Sequence, residues 1–120
     1  MYKKNIFSLK NKKIIILGGS GYIGKNISEE ILSHDAQVFV LDKKVNFQNK
    51  NITNIYFDAN KKNFDKEYKK ILLEIGCPDG LVNCLYPKPS SWKKNNIKNI
   101  NLGSLNKNLN SHLLPFTWIP

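Results

Sequence analysis

At 120 residues, with 41% hydrophobic and 23% charged side chains, the chain has the composition of one folded domain, and a chain of this length buries roughly two thirds of the surface it exposes when unfolded. Its formal charge of +10 does not point to nucleic acid, because all nineteen basic residues are Lys, none is Arg, and the doublets at 3–4, 12–13, 43–44, 61–62, 69–70 and 93–94 are scattered along the chain. No apolar run exceeds four residues, and Cys77 and Cys84 stand seven apart with no His or Cys at metal-ligand spacing, so no signal peptide, membrane span or zinc site is expected, and two buried free thiols in a reducing cytoplasm are.

Ile14-Ile15-Ile16-Leu17 is a continuous apolar run ending at Gly18, and Ile23, Ile27 and Ile31 follow at helical spacing; a strand, a glycine turn and a helix are predicted in that order. The helical pattern stops near Ser33-His34-Asp35. Val38 to Leu41 is a second apolar run, closed by Asp42, and a strand apolar on both faces belongs to a parallel sheet. Residues 43–54, rich in Lys, Asn and Gln, read as a loop before a third strand at Ile55-Tyr56-Phe57, which Asp58 terminates. Phe64, Tyr68, Ile71, Leu72 and Ile75 form one apolar helical stripe with Gly76 as its C-terminal cap. Leu81 to Cys84 is a fourth strand, and residues 86–101, with Pro87 and Pro89, read as a long loop. Leu102, Leu105, Leu109 and Leu113 give a last amphipathic helix that Pro115 ends by removing a backbone donor. This alternation predicts a single α/β domain, a doubly wound parallel sheet with helices on both faces and strand order 3-2-1-4.

The turn Gly18-Gly19-Ser20-Gly21-Tyr22-Ile23-Gly24 lies between the first strand and its helix, where a phosphate-binding turn has to lie. Gly18 is read as the tight turn, Gly21 as the point where backbone approaches a pyrophosphate, and Gly24 as the close contact of helix on strand. The helix start, from Ser20 through Tyr22 and Ile23, offers free N–H groups and the positive end of its dipole to an anion. Asp42 follows eighteen residues after Gly24 at the end of the second strand, the spacing of a carboxylate that accepts hydrogen bonds from a ribose. A carboxylate there repels a 2′-phosphate and favours NAD over NADP; Lys43 and Lys44 beside it act in the opposite sense and leave NADP open.

These residues resemble the short-chain dehydrogenase/reductase family from Lys12 to about Phe116. The Gly-x-x-Gly-x-x-Gly spacing is similar to that of its extended and divergent members, with Leu17 where Thr is usual. Asp58 in Tyr56-Phe57-Asp58-Ala59 is similar to the family's aspartate that bonds the adenine amino group. Asp79 to Tyr86 resembles its fourth strand and Asn-Asn-Ala-Gly turn, in which Asn83 matches while Cys84, Leu85 and Tyr86 replace the other three. The resemblance implies that Asn83 and Leu85 border the cofactor. Residues 83–88 and 109–113 resemble a subgroup associated with flagellin modification and surface-polysaccharide synthesis, which puts His112 where classical members carry a catalytic Asn.

Family members transfer a hydride with a Tyr whose pKa is lowered by a Lys four residues on. Tyr2, Tyr22, Tyr56, Tyr68 and Tyr86 are followed at that spacing by Ile6, Asn26, Asn60, Leu72 and Ser90, so the pair is missing, and the resemblance places it on a fifth strand and helix beyond residue 120. The resemblance therefore implies that residues 1–120 are an incomplete NAD(P)-binding Rossmann fold, truncated after about four strands, the cytoplasmic cofactor-binding portion of an oxidoreductase that is catalytically incompetent alone and whose relatives act on a sugar or nucleotide-sugar. The alternative is a non-catalytic dinucleotide-binding or interaction module that self-associates through the exposed edge of its fourth strand.

Overall fold

The computed structural model describes residues 6–45, 48–86, 93 and 96–118. Its elements in chain order are β1 (Lys13–Leu17), α1 (Tyr22–Ser33), β2 (Gln37–Asp42), β3 (Ile52–Tyr56), α2 (Phe64–Ile75), β4 (Gly80–Asn83) and α3 (Leu102–Trp118). All strand pairs are parallel, and the sheet runs β3-β2-β1-β4 as expected.

The apolar runs divide by parity between two cores, which is why β1 and β2 show no polar alternation. Ile15, Leu17, Phe39 and Leu41 face one side with Phe57, and there Tyr68 and Ile71 of α2 pack on them. Ile14, Ile16, Val38, Val40 and Ile52 face the other side, against Ile27, Ile31 and Leu32 of α1. Full burial of side chains such as Ile16 and Leu17 is worth about 1.5–3 kcal/mol each, so these two layers dominate the stability of the sheet. Helix α1 ends as predicted, through backbone bonds from His34 and Asp35 to Ile31 and Leu32. Gly76, at φ +80°, caps α2 with its N–H on the Leu72 carbonyl. At the opposite end of the sheet from the glycine turn, the Asp79 carboxylate takes the Lys13 amide at 2.8 Å and the Lys12 ammonium at 3.1 Å and fixes β4 beside β1.

Four expectations are corrected. β3 begins at Ile52, inside the segment read as loop, and ends at Tyr56. Its alternation is hidden because Thr53 and Asn54 interrupt the apolar pattern, although Ile52 and Ile55 face opposite cores. β4 starts one residue earlier than predicted, at Gly80, and ends before Cys84. Pro115 lies inside α3, which runs on to Trp118; a proline costs the helix one donor, and the Pro115 ring is buried while Leu114 and Phe116 beside it stay exposed. Cys77 is exposed, so only Cys84 is partly covered, and its burial pushes its thiol pKa up. Most of the predicted 86–101 loop lies outside the described residues; at its end Asn96 Oδ1 accepts the Lys98 and Asn99 amides in a turn.

Candidate functional site

The glycine turn sits at the carboxyl end of β1, between the ends of β2 and β4, and three of its glycines are required by the protein's own packing; a Cβ on Gly19 would stand 2.7 and 2.8 Å from the two methyl carbons of the buried Val40. Gly18 has φ +70°, donates its N–H to the Leu41 carbonyl at 2.8 Å, and would place a Cβ only 2.9 Å from the Cys84 carbonyl oxygen. A Cβ on Gly24 would stand 2.3 Å from the Gly18 carbonyl oxygen and 2.8 Å from the Gly19 Cα. Gly21 differs. Its φ of −74° and ψ of 169° suit any residue, and a Cβ there would meet only the Gly18 carbonyl oxygen, at an ordinary 3.4 Å. Nothing in the described chain demands a glycine at 21.

The three helix starts differ in the same sense. Asn101 Oδ1 caps α3 by accepting the Ser104 amide at 2.8 Å, and α2 carries Asp65 and Glu67 in its first turn. Helix α1 has neither a side-chain cap nor a first-turn acid. Among the described residues, the amides of Tyr22, Ile23 and Gly24 find no acceptor, whereas that of Gly21 turns back to Gly18 and that of Lys25 already enters the helix ladder. Three donors and a positive helix end thus face the space beside Gly21.

Asp42 is fixed next to them. Its Oδ2 accepts the Ser20 amide at 3.1 Å and its Oδ1 the Lys44 amide at 3.1 Å, while the Ser20 hydroxyl donates to the Lys44 carbonyl at 2.7 Å. An ionised carboxylate offers about four lone-pair sites. Two bonds hold it in place, and the rest remain for hydroxyl donors.

A cavity of about 640 Å³, within the size range of small-molecule sites, opens over this end of the sheet. Of the residues predicted for the cofactor, Gly18, Gly21, Tyr22, Ile23, Gly24, Asp42 and Leu85 line it. Ser20, Asp58 and Asn83 do not. Ser20 and Asn83 shape the walls from behind, since Asn83 Oδ1 takes the Leu85 amide at 3.0 Å and sets the turn after β4. Asp58 Oδ1 takes the Asn60 amide at 2.9 Å and the Lys43 ammonium at 3.3 Å. Lys43 and Lys44, weighed in the sequence as opposing charges, both line the cavity.

Sequence reasoning missed Phe57, Ala59 and Asn60 as lining residues, together with Cys84, Tyr86 and Ser111. The first three were findable in principle, because ligands of open α/β sheets lie beyond the carboxyl ends of the strands and these residues follow β3 directly. Ser111 reaches the cavity from α3, and no local pattern marks it. His112 turns to Tyr86, with ring centroids 5.0 Å apart, and lines a shallower groove with Leu105 and Leu109.

The same fold is found in solved structures. A short chain dehydrogenase from Leptospira borgpetersenii, solved with bound NAD+, superposes with a TM-score of 0.79 at 25% identity, over 99% of this chain and 47% of that one. Aldohexose dehydrogenase from Thermoplasma acidophilum gives 0.74 at 22% identity, over 92% and 42%, and a Pseudomonas aeruginosa protein in an active-site complex with NADP gives 0.62 at 24%, over 89% and 47%. The latter two matches speak for the fold alone, and the chain spans less than half the length of each of the three. No protein of curated function matches in sequence. The model of the NAD dependent epimerase/dehydratase family matches residues 14–114, nearly the whole strand–turn–helix framework that builds the cavity, and the chain belongs to that family.

Proposed function

We propose that residues 1–120 form one dinucleotide-binding unit that holds NAD, with the pyrophosphate on the Tyr22, Ile23 and Gly24 amides, the adenosine ribose on Asp42, and Leu85 bordering the nicotinamide side. The observation that carries this reading is the pinned Asp42 carboxylate standing beside three unbonded helix amides over the space at Gly21. The cavity fits such a ligand in its donors and acceptors: amides for phosphate oxygens, a carboxylate for hydroxyls, and apolar walls from Phe57, Ala59 and Leu85 for the flat rings. A bound nicotinamide would supply hydride chemistry, and the chain's own residues bind and orient it.

The reading assigns no hydride-transfer step to these 120 residues, because none of their tyrosines has a Lys four residues on. It treats them as the cofactor-binding portion of a short-chain dehydrogenase/reductase-like oxidoreductase. The substrate class it carries, a sugar or nucleotide-sugar alcohol or carbonyl, is supported by the resemblance of residues 83–88 and 109–113 to the surface-polysaccharide subgroup. A cytoplasmic setting accords with the two free thiols. Titration calorimetry with NAD tests the binding claim: a saturable heat at a stoichiometry of one is expected, and no heat with NAD or NADP overturns it.

A second reading rests on a different observation. β4 is an edge of the sheet among the described residues, and α3 leaves Leu102, Leu105, Leu109 and Leu113 between 42% and 73% exposed. An unpaired strand edge beside an uncovered apolar helix is suited to another chain, including a second copy. Sedimentation of the purified protein over a hundredfold range of concentration decides it, a monomer throughout counting against self-association.

A further inference from the structure

Resting on the proposed NAD site, we infer that Asp58 is a positioning residue that holds the Lys43 ammonium away from the ribose corner and thereby strengthens the preference for NAD over NADP. Lys43 follows Asp42 directly and lines the cavity, so a free ammonium there would stand within reach of a phosphate on the 2′-oxygen. Its ammonium instead lies 3.3 Å from Asp58 Oδ1. That oxygen is itself oriented by the Asn60 amide at 2.9 Å, and the Asp58 side chain is only 18% exposed, so its charge is less screened than that of a surface carboxylate.

Two devices then oppose a 2′-phosphate. Asp42 cannot swing aside without giving up the Ser20 and Lys44 amides, and the nearest cation has its charge answered by Asp58. Lys44 also lines the cavity and makes no ion pair among the described residues, so the outcome is a preference and not an exclusion. Asp58 thus serves the cofactor site from outside the cavity wall, through Lys43.

The test compares the affinity ratio of NADP to NAD in three proteins by calorimetry or fluorescence titration. Asp58→Asn keeps an oxygen for the Asn60 amide and removes the charge, so the fold is retained; the ratio should rise roughly fivefold, the worth of one half-buried ion pair. Adding Lys43→Gln to Asp58→Asn should return the ratio to that of the unaltered protein. A ratio unmoved by Asp58→Asn overturns the inference, as does a rise that persists in the double variant, and so does an equal loss of both cofactors, which would mark Asp58 as a direct adenine ligand. If the unaltered protein binds neither dinucleotide, the site reading itself falls and the inference with it; binding of NAD with an unmoved ratio removes the inference alone.

Discussion

Helices α1 and α3 both carry an apolar stripe in the sequence, yet they end in opposite states. Ile27, Ile31 and Leu32 of α1 pack on the sheet, whereas the leucines of α3 remain exposed. Helical periodicity fixes which face is apolar; what covers that face depends on whether a chain connection brings it to a partner. The turn does this for α1, because the Gly18–Gly24 contact presses the helix start onto the end of β1. The helix ends make the complementary point. The α3 start is satisfied by Asn101, while the α1 start is left open, so the helix that is better packed is the one that keeps donors in reserve.

The comparison can be broken most forcefully at Gly24. A valine there meets the Gly18 carbonyl oxygen and the Gly19 backbone at distances no side chain tolerates, and we expect a loss of about 3 kcal/mol or more in denaturant unfolding, enough to leave much of the protein unfolded. The packed and exposed stripes differ next. Ile16→Ala, in a fully buried side chain, should cost about 2–4 kcal/mol, and Leu109→Ala on α3 no more than about 0.5 kcal/mol. Equal losses in the same urea titration would mean that α3 packs on something in solution. At the site, Asp42→Ala should weaken NAD binding by roughly tenfold, from lost ribose bonds and a loosened Ser20–Lys44 corner, with little change in the unfolding midpoint.

The smallest effect is acid sensitivity at the far end of the sheet. The Lys13 amide, and after it the Lys12 ammonium, hold the Asp79 carboxyl below the usual carboxylate range. A carboxylate with a depressed folded pKa contributes stability above the ordinary range, and that contribution is lost as the pH falls through the depressed value. Asp79→Asn should therefore be slightly less stable at neutral pH and should lose less stability on acidification; parallel pH profiles for the two proteins would contradict this.

Much of this was legible in the sequence because β1, α1 and β2 are governed by local rules: unbroken apolar runs, 3.6-residue spacing, and a glycine triplet followed by an acid. β3 was half hidden because Thr53 and Asn54 masked its alternation, and the pairing with β2 that defines it is not local. Pro115 misled because a helix tolerates the loss of one donor near its end when the ring is buried. At the candidate site, the turn residues that line the cavity were readable from glycine positions. The pairing of Lys43 with Asp58 was not, since it depends on where two loops from different strands meet.

The central claim is that the space at Gly21 belongs to a ligand and not to the fold. Gly21→Val tests it in one protein: backbone angles at 21 accept valine, so thermal unfolding of the variant should match that of the unaltered chain, while calorimetry with NAD should show binding abolished. A variant that folds normally and still binds NAD with undiminished affinity would contradict the account.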